Sequence, residues 1–225
     1  MKSEAIVELG KPLQTIESET PEPKGKEVLL KITHSGVCHS DVHIHDGYFD
    51  LGGGNKLPVG QMLNLPHTMG HEIEGEVAAI GPDVTDVEIG ANVVAYPWIG
   101  CGECATCKAG DEHYCNAPRQ LGIQLPGGFA DYCIVPDSKY ILDYTGIRPG
   151  LAATYMCSGL TAFGALKKFV NITDEDHILI MGLGGVGMMG LQFARALFNC
   201  KILAADIDPN KLCLLYTSPS PRDTE

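Results

Sequence analysis

HILIMGLGGVGMMGLQFARALFNCKILAADID, residues 177–208, is the stretch on which the fold turns. It opens with a short apolar run, HILIM, of strand length. A glycine-rich turn follows, then MMGLQFARALF (188–198) with helical spacing, then a second strand, KILAADID (201–208). Strand, turn, helix and strand in that order begin a parallel, doubly wound sheet, because parallel neighbours need a crossover connection. Within the turn, Gly182, Gly184 and Gly187 have G-x-G-x-x-G spacing. A glycine string alone says little. Here it leaves a strand and opens a helix, and the acidic Asp206 ends the next strand about 20 residues on, the context of dinucleotide binding. Gly182 is expected to permit the tight turn, Gly184 to admit a pyrophosphate, and Gly187 to let helix pack closely on strand. Asp206 is expected to accept hydrogen bonds from ribose hydroxyls and repel a 2′-phosphate, favouring NAD over NADP.

Upstream the texture differs. Residues 1 to about 150 carry short alternating runs between Gly, Pro and Asp, the pattern of many short strands. VLLKIT (28–33), IEGEVAAIG (73–81) and FADYCIVP (129–136) all alternate. In the second, Ile73, Gly75 and Val77 share a face expected to point inward, with Glu74 and Glu76 on the solvent side. DLGGGNKLPVG (50–60) reads as loop, and ATYMCSGLTAFGALKKF (153–169) as one helix. The expected fold class is therefore α/β plus β-rich: a β-rich lobe followed by a truncated α/β lobe.

Composition narrows the function classes. The chain has 225 residues, 44% hydrophobic and 20% charged, enough apolar material for a packed core. Asp plus Glu number 28 against 16 Lys plus Arg, a formal charge of −12, which argues against nucleic acid as partner. The start, MKSEAIVELG, lacks the basic and apolar regions of a signal peptide. Glycines interrupt the longest apolar stretch, which is too short to span a bilayer. A soluble cytoplasmic protein without a membrane partner is expected.

Nine cysteines are present, and disulfides are improbable in that compartment. Cys101-x2-Cys104-x2-Cys107-x7-Cys115 offers four thiolates at spacings that can wrap one tetrahedral ion. Four sulfurs with no open position make a structural zinc site, whose binding energy folds a loop (about 98–116) with little apolar content. An iron–sulfur cluster competes through its similar spacing. It would need an electron partner of which the sequence gives no sign, so zinc leads.

GVCHSDVH (36–43) and GHE (70–72) are the other unusual segments. Cys38, His71 and Cys157 form a set, two thiolates and one imidazole, that leaves a zinc with an open fourth position. Spacing alone does not bring them together. Taken singly, Cys157 reads as a small buried residue and His71 as a packed core histidine.

GVCHSD, GHEIEGEVAAIG, the four-cysteine loop, ATYMCSGLTAFGAL and GLGGVG, in that order, resemble the zinc-containing medium-chain alcohol dehydrogenases over essentially all of residues 1–212. The resemblance implies a GroES-like catalytic domain (1–157) followed by a partial Rossmann NAD-binding domain (158–212). It implies two zinc ions per chain: a catalytic ion on Cys38, His71 and Cys157, and a structural ion on Cys101, Cys104, Cys107 and Cys115. Asp41 would fix the His71 tautomer, and Glu72 would be able to approach the metal. Ser40 would take the substrate hydroxyl proton, His43 would pass it towards solvent, and His39 would meet the cofactor pyrophosphate. The activity implied is hydride transfer between a primary or secondary alcohol and NAD, giving an aldehyde or ketone. A polyol dehydrogenase or other carbonyl reductase of the same fold, and a non-catalytic zinc-stabilised binding protein, are the alternatives. The full-length protein is expected to be a homo-oligomer.

His34, His45, His67 and His113 receive no role, and Cys133 and Cys200 are expected to be small buried residues. Two departures stand out. The segment between His43 and His71 is long and glycine-rich, with substrate selection and a tolerated surface insertion as its two readings. The second half of the nucleotide-binding sheet is missing, so this length of chain is expected to be inactive alone. Residues 213–223, CLLYTSPSPRD, resemble one reading frame of the adapter used in transposase-based sequencing libraries. Residues 213–225 are accordingly expected to be non-native.

Overall fold

The computed structural model describes residues 1–212, and the expectation for residues 213–225 lies outside them. Two compact units are present, Met1–Cys157 and a second beginning at Ser158.

The first unit contains Lys2–Ile6 (β1), Gln14–Glu17 (β2), Val28–Gly36 (β3), His39–Asp46 (α1), Tyr48–Asp50 (β4) and Lys56–Pro58 (β5). His67–Thr68 (β6), Glu72–Ile80 (β7), Asn92–Ala95 (β8), Ala105–Lys108 (α2), Tyr132–Val135 (β9) and Ile141–Asp143 (β10) follow. An antiparallel five-stranded sheet runs β10-β8-β7-β3-β9, and a smaller one runs β2-β1-β6. The alternating residues of these strands face one core, with Val28, Leu30, Ile73, Val77, Val93 and Val135 buried in it. Cys133 and Cys200 are both buried, as small apolar residues.

Three expectations are corrected. DLGGGNKLPVG is not simply loop, because β4 and β5 pair antiparallel into it, with Asp50 opposite Lys56. The helix expected over 153–169 is Ala152–Thr154 (α3), a π-helical stretch, Tyr155–Gly159, and Leu160–Leu166 (α4). Glu74 is 1% exposed rather than solvated, while Glu76 is exposed. Opposite this stretch β3 is irregular. The register shifts between Ile32 and His34, so Ile32 lies opposite Gly75 and His34 opposite Glu74. The segment after β10 covers that face. The Glu74 carboxylate accepts from Tyr144 Oη (3.2 Å) and the Gly150 N–H (2.9 Å), and pairs with His34 Nδ1 (3.1 Å). Alternation predicts which side a residue faces, not what covers that side.

In the second unit, His177–Met181 (β11) and Lys201–Ala205 (β12) pair in parallel, connected through Gly185–Leu197 (α5), and Pro209–Leu212 (α6) follows. Ile178, Leu166, Ala194 and Cys200 form its small core. Among the described residues, no helix is long and apolar enough to cross a membrane.

Replacing Glu74 with Ala strands the hydrogen-bond donors that converge on it, so a loss of roughly 1–3 kcal/mol is expected. Glu74→Gln, which keeps an acceptor, should lose less. Urea unfolding followed by the fluorescence of Trp98, the only tryptophan, reads the first unit directly. A loss for Glu74→Ala below about 0.5 kcal/mol would show that the network carries no stability.

Candidate functional site

The strand β3 ends at Gly36, and Cys38 caps α1 with extended backbone (φ −92°, ψ 154°). Asp41, in the first turn of α1, turns back. Its Oδ2 accepts the Cys38 N–H at 2.9 Å, and its Oδ1 lies 3.2 Å from His71 Nδ1 and 3.4 Å from the Gly70 N. Gly70 has φ +94°, a conformation disfavoured for other residues, and a Cβ there would meet the Phe129 ring at 2.6 Å. This tight turn into β7 sets the fully buried His71 ring against Asp41.

Cys157 comes from the π-helical stretch, and its Sγ lies 3.8 Å from Cys38 Sγ. One donor atom from each of Cys38, His71 and Cys157 lies within 4.8 Å of the others. The Cys157 thiol, then the His71 ring, hold Cys38 as a thiolate, down to about 3. Burial works against a charged His71, but Asp41 and Cys38 outweigh it and hold the ring up to about 9. Cys157 is pushed up, first by Cys38 and then by burial. His71 Nε2 is buried and makes no hydrogen bond. With Nδ1 turned to Asp41, that orphaned nitrogen stands beside two sulfurs, a donor set suited to zinc. Sulfurs on one tetrahedral ion at about 2.3 Å lie about 3.8 Å apart, so the residues fit a metal.

The four clustered cysteines meet the same test. Their sulfurs lie within 4.8 Å of one another, at 3.4 Å for Cys104–Cys107, 3.8 Å for Cys104–Cys115 and 3.9 Å for Cys101–Cys107. None of these approaches the roughly 2.05 Å of a disulfide. Backbone N–H groups of Cys104, Cys107 and Ala117 point at Cys101, Cys104 and Cys115 Sγ. Such donors draw Cys101 down to about 6, while burial pushes Cys107 up to about 12. Glu112 ties the loop to the sheet. It accepts from the Gly100 N–H (3.2 Å), Lys139 Nζ (2.6 Å) and Tyr140 Oη.

The remaining expected residues divide between the units. Ser40 and His43 follow Cys38 on α1, and the His43 ring stacks on His39 at 4.7 Å and meets Phe49 at 4.8 Å. Glu72 is buried, and its carboxylate helps to raise Cys157. In the second unit Gly182 has φ +87°, and a Cβ on Gly187 would fall 1.7 Å from the Gly182 carbonyl, so helix and turn close only over glycine. A Cβ on Gly184, by contrast, meets nothing within 4 Å. Asp206 accepts the N–H of Leu183 (2.6 Å) and of Asp208 (2.8 Å), and these donors hold its carboxyl below the usual range. It lines a cleft of about 520 Å³ with Met181, Gly182, Ala205, Ile207 and Lys211.

Sequence reading missed Trp98, Glu112 and Lys211. Trp98 and Glu112 meet partners distant in the chain, Met156 and Lys139, whereas Lys211 lies only five residues from its partner Asp206 and carried no motif of its own. The histidines without an expected role make packing and hydrogen-bond contacts away from the three-residue group. His45 Nε2 lies 2.7 Å from the Lys11 carbonyl, His67 Nε2 lies 3.1 Å from that of Gly122, and His113 packs on Tyr114.

A family model, the alcohol dehydrogenase GroES-like domain, matches residues 24–145. An NAD-dependent alcohol dehydrogenase of Saccharolobus solfataricus is 39% identical over 209 residues, 92% of this chain and 59% of that protein. The chain thus spans about 59% of that curated relative's length. Among solved structures, the Aeropyrum pernix alcohol dehydrogenase has a TM-score of 0.83 at 26% identity, covering 96% of this chain and 62% of its own. A D-arabinose dehydrogenase of Sulfolobus solfataricus has 0.81 at 26%, covering 96% and 64%.

Asp41 serves Cys38 and His71 with separate oxygens, whereas an asparagine offers only one acceptor. Asp41→Asn should therefore weaken metal binding at the three-residue group by roughly 10–100-fold and spare the four-cysteine loop. Competition against a chromophoric chelator measures both. Equal affinity in the variant would remove Asp41 from the ligand-orienting role.

Proposed function

This chain belongs to the zinc-containing medium-chain alcohol dehydrogenase family, and we propose that the protein it forms part of transfers hydride between an alcohol and NAD. The alcohol is primary or secondary, and the product an aldehyde or ketone. The observation that carries this reading is the buried, unpartnered His71 Nε2 beside the sulfurs of Cys38 and Cys157. Held by Cys38, His71 and Cys157, a zinc ion would supply Lewis-acid stabilisation of negative charge on the alcohol oxygen, and a nicotinamide would supply the hydride-accepting carbon.

The chain's own residues do the rest. Asp41 holds His71 by Nδ1 and leaves Nε2 to face the thiolates. Ser40 accepts the proton of the alcohol hydroxyl. His43, one turn further along α1, carries it towards solvent. Glu72, buried and acting on Cys157, would be able to approach the metal. The turn at Gly182, Gly184 and Gly187 receives the cofactor pyrophosphate at the start of α5, and His39 is a further donor for it. Asp206 takes the ribose hydroxyls and disfavours a 2′-phosphate. In this reading residues 1–157 form the catalytic domain and 158–212 the beginning of a Rossmann domain.

Cys101, Cys104, Cys107 and Cys115 hold a second, structural zinc. Their close sulfurs suit one ion, because a four-iron cluster binds each thiolate through a different iron and spreads them further apart. The likeness to a D-arabinose dehydrogenase supports testing aldose sugars beside simple alcohols and polyols.

Elemental analysis should find two zinc ions per chain and one in Cys38→Ser. In a protein carried to the full length of its relatives, Cys38→Ser should abolish alcohol-dependent NADH formation with the four-cysteine loop still loaded. Undiminished turnover in that variant would refute the catalytic metal assignment. Asp206→Gly should lower the NAD over NADP preference by about tenfold or more, since charge-assisted hydrogen bonds to the ribose are lost. An unchanged ratio of kcat/KM values would take Asp206 out of cofactor selection.

A further inference from the structure

The three-residue group is gripped from a side that the proposed chemistry leaves unused. Trp98 stands between β8 and the four-cysteine loop, three positions before Cys101. Its indole Nε1–H donates to the Met156 carbonyl at 2.8 Å. Its ring lies tilted against His71, with centroids 5.7 Å apart and planes at 56°. Met156 immediately precedes Cys157, and both belong to the π-helical stretch Tyr155–Gly159.

π-Helical turns are rare, since the wider i→i+5 ladder is less favourable than the α-helical one. Relaxing such a turn to α geometry changes the helix by one residue, about 100° of rotation, and would swing Cys157 away from Cys38. An outside donor at a carbonyl of the turn favours the wide form. The same side chain presses on His71, so one residue touches the supports of two donors. We propose that Trp98 is a positioning residue: its N–H bond to Met156 holds the π-helical turn so that Cys157 Sγ faces Cys38 and His71. This inference rests on reading those three residues as a metal centre.

The test strips metal from the full chain with a chelator and titrates it with cobalt(II). Charge-transfer and d–d bands distinguish a four-sulfur group from one with two sulfurs and a nitrogen. Trp98→Phe keeps a ring against His71 but removes the donor. Its three-residue group should bind cobalt roughly 10–100-fold more weakly with shifted d–d bands, while the four-sulfur group stays within about twofold. Wild-type affinity and bands in Trp98→Phe would overturn the proposal, and so would equal weakening of both groups. A second measurement needs no substitution at Trp98. The single tryptophan gives one indole N–H signal in a ¹⁵N-labelled chain. The second zinc equivalent should shift that signal and slow its hydrogen exchange, and should do neither in Cys38→Ser. An indole signal indifferent to the second equivalent overturns the proposal. Uptake of only one equivalent by the wild-type chain sinks the metal-centre reading itself.

Discussion

Two sulfurs 3.8 Å apart, one half-buried and one buried, beside a buried imidazole, cannot all carry their preferred charges unless something positive lies among them. Two thiolates at that distance repel, and burial strengthens the repulsion. The protein's answer is asymmetric. Cys38 is driven to thiolate, Cys157 is driven to keep its proton, and His71 is charged against Asp41. A divalent cation does the same work at one point, displacing those protons as it binds. The surrounding structure serves this requirement: a capped helix for Cys38, a left-handed glycine turn for His71 and a π-helical stretch for Cys157.

Asp41 is the hinge of that arrangement because its two oxygens serve two segments. Oδ2 fixes the start of α1 through the Cys38 N–H, and Oδ1 fixes the His71 ring. A carboxylate accepts several hydrogen bonds at once, so a single residue sets the relation between β3, α1 and the turn into β7. Glu112 plays a comparable part for the four-cysteine loop. Fixing a loop with few apolar contacts requires either a metal or such polar ties, and this loop has the residues for both.

What could be read in advance depended on how local the cause was. The four-cysteine spacing lies in one short segment, and the glycine turn carries its own steric reason. A Cβ on Gly187 has nowhere to go over the Gly182 carbonyl. The strands were legible from alternation, yet Glu74 was placed on the wrong side of burial. The covering residues 144–150 lie outside the window in which alternation is counted. The β4–β5 pairing was hidden by the glycines that make its turn. Nothing in residues 155–159 signals a π-helical turn, because the α and π ladders draw on the same residue types. Spacing did not unite Cys38, His71 and Cys157 either. That grouping came from resemblance, and the folded chain brings the three side chains together.

In its proposed role, Asp206 would be a binding group prepared in advance. Its carboxylate already accepts the N–H groups of Leu183 and Asp208 and lies 3.6 Å from Lys211 Nζ. An ionised carboxylate has about four acceptor positions, so two N–H bonds leave capacity for a ribose diol. These bonds join the end of β12 to the glycine turn and fix the direction in which the remaining lone pairs point. They also keep the group ionised, because each stabilises the charged form. A ligand hydroxyl arriving there meets an acceptor that need not reorient, and a phosphate meets a fixed negative charge that cannot turn away. In the proposed function, discrimination between the two would follow from rigidity as much as from charge, since a mobile carboxylate could swing aside and let Lys211 meet the phosphate alone.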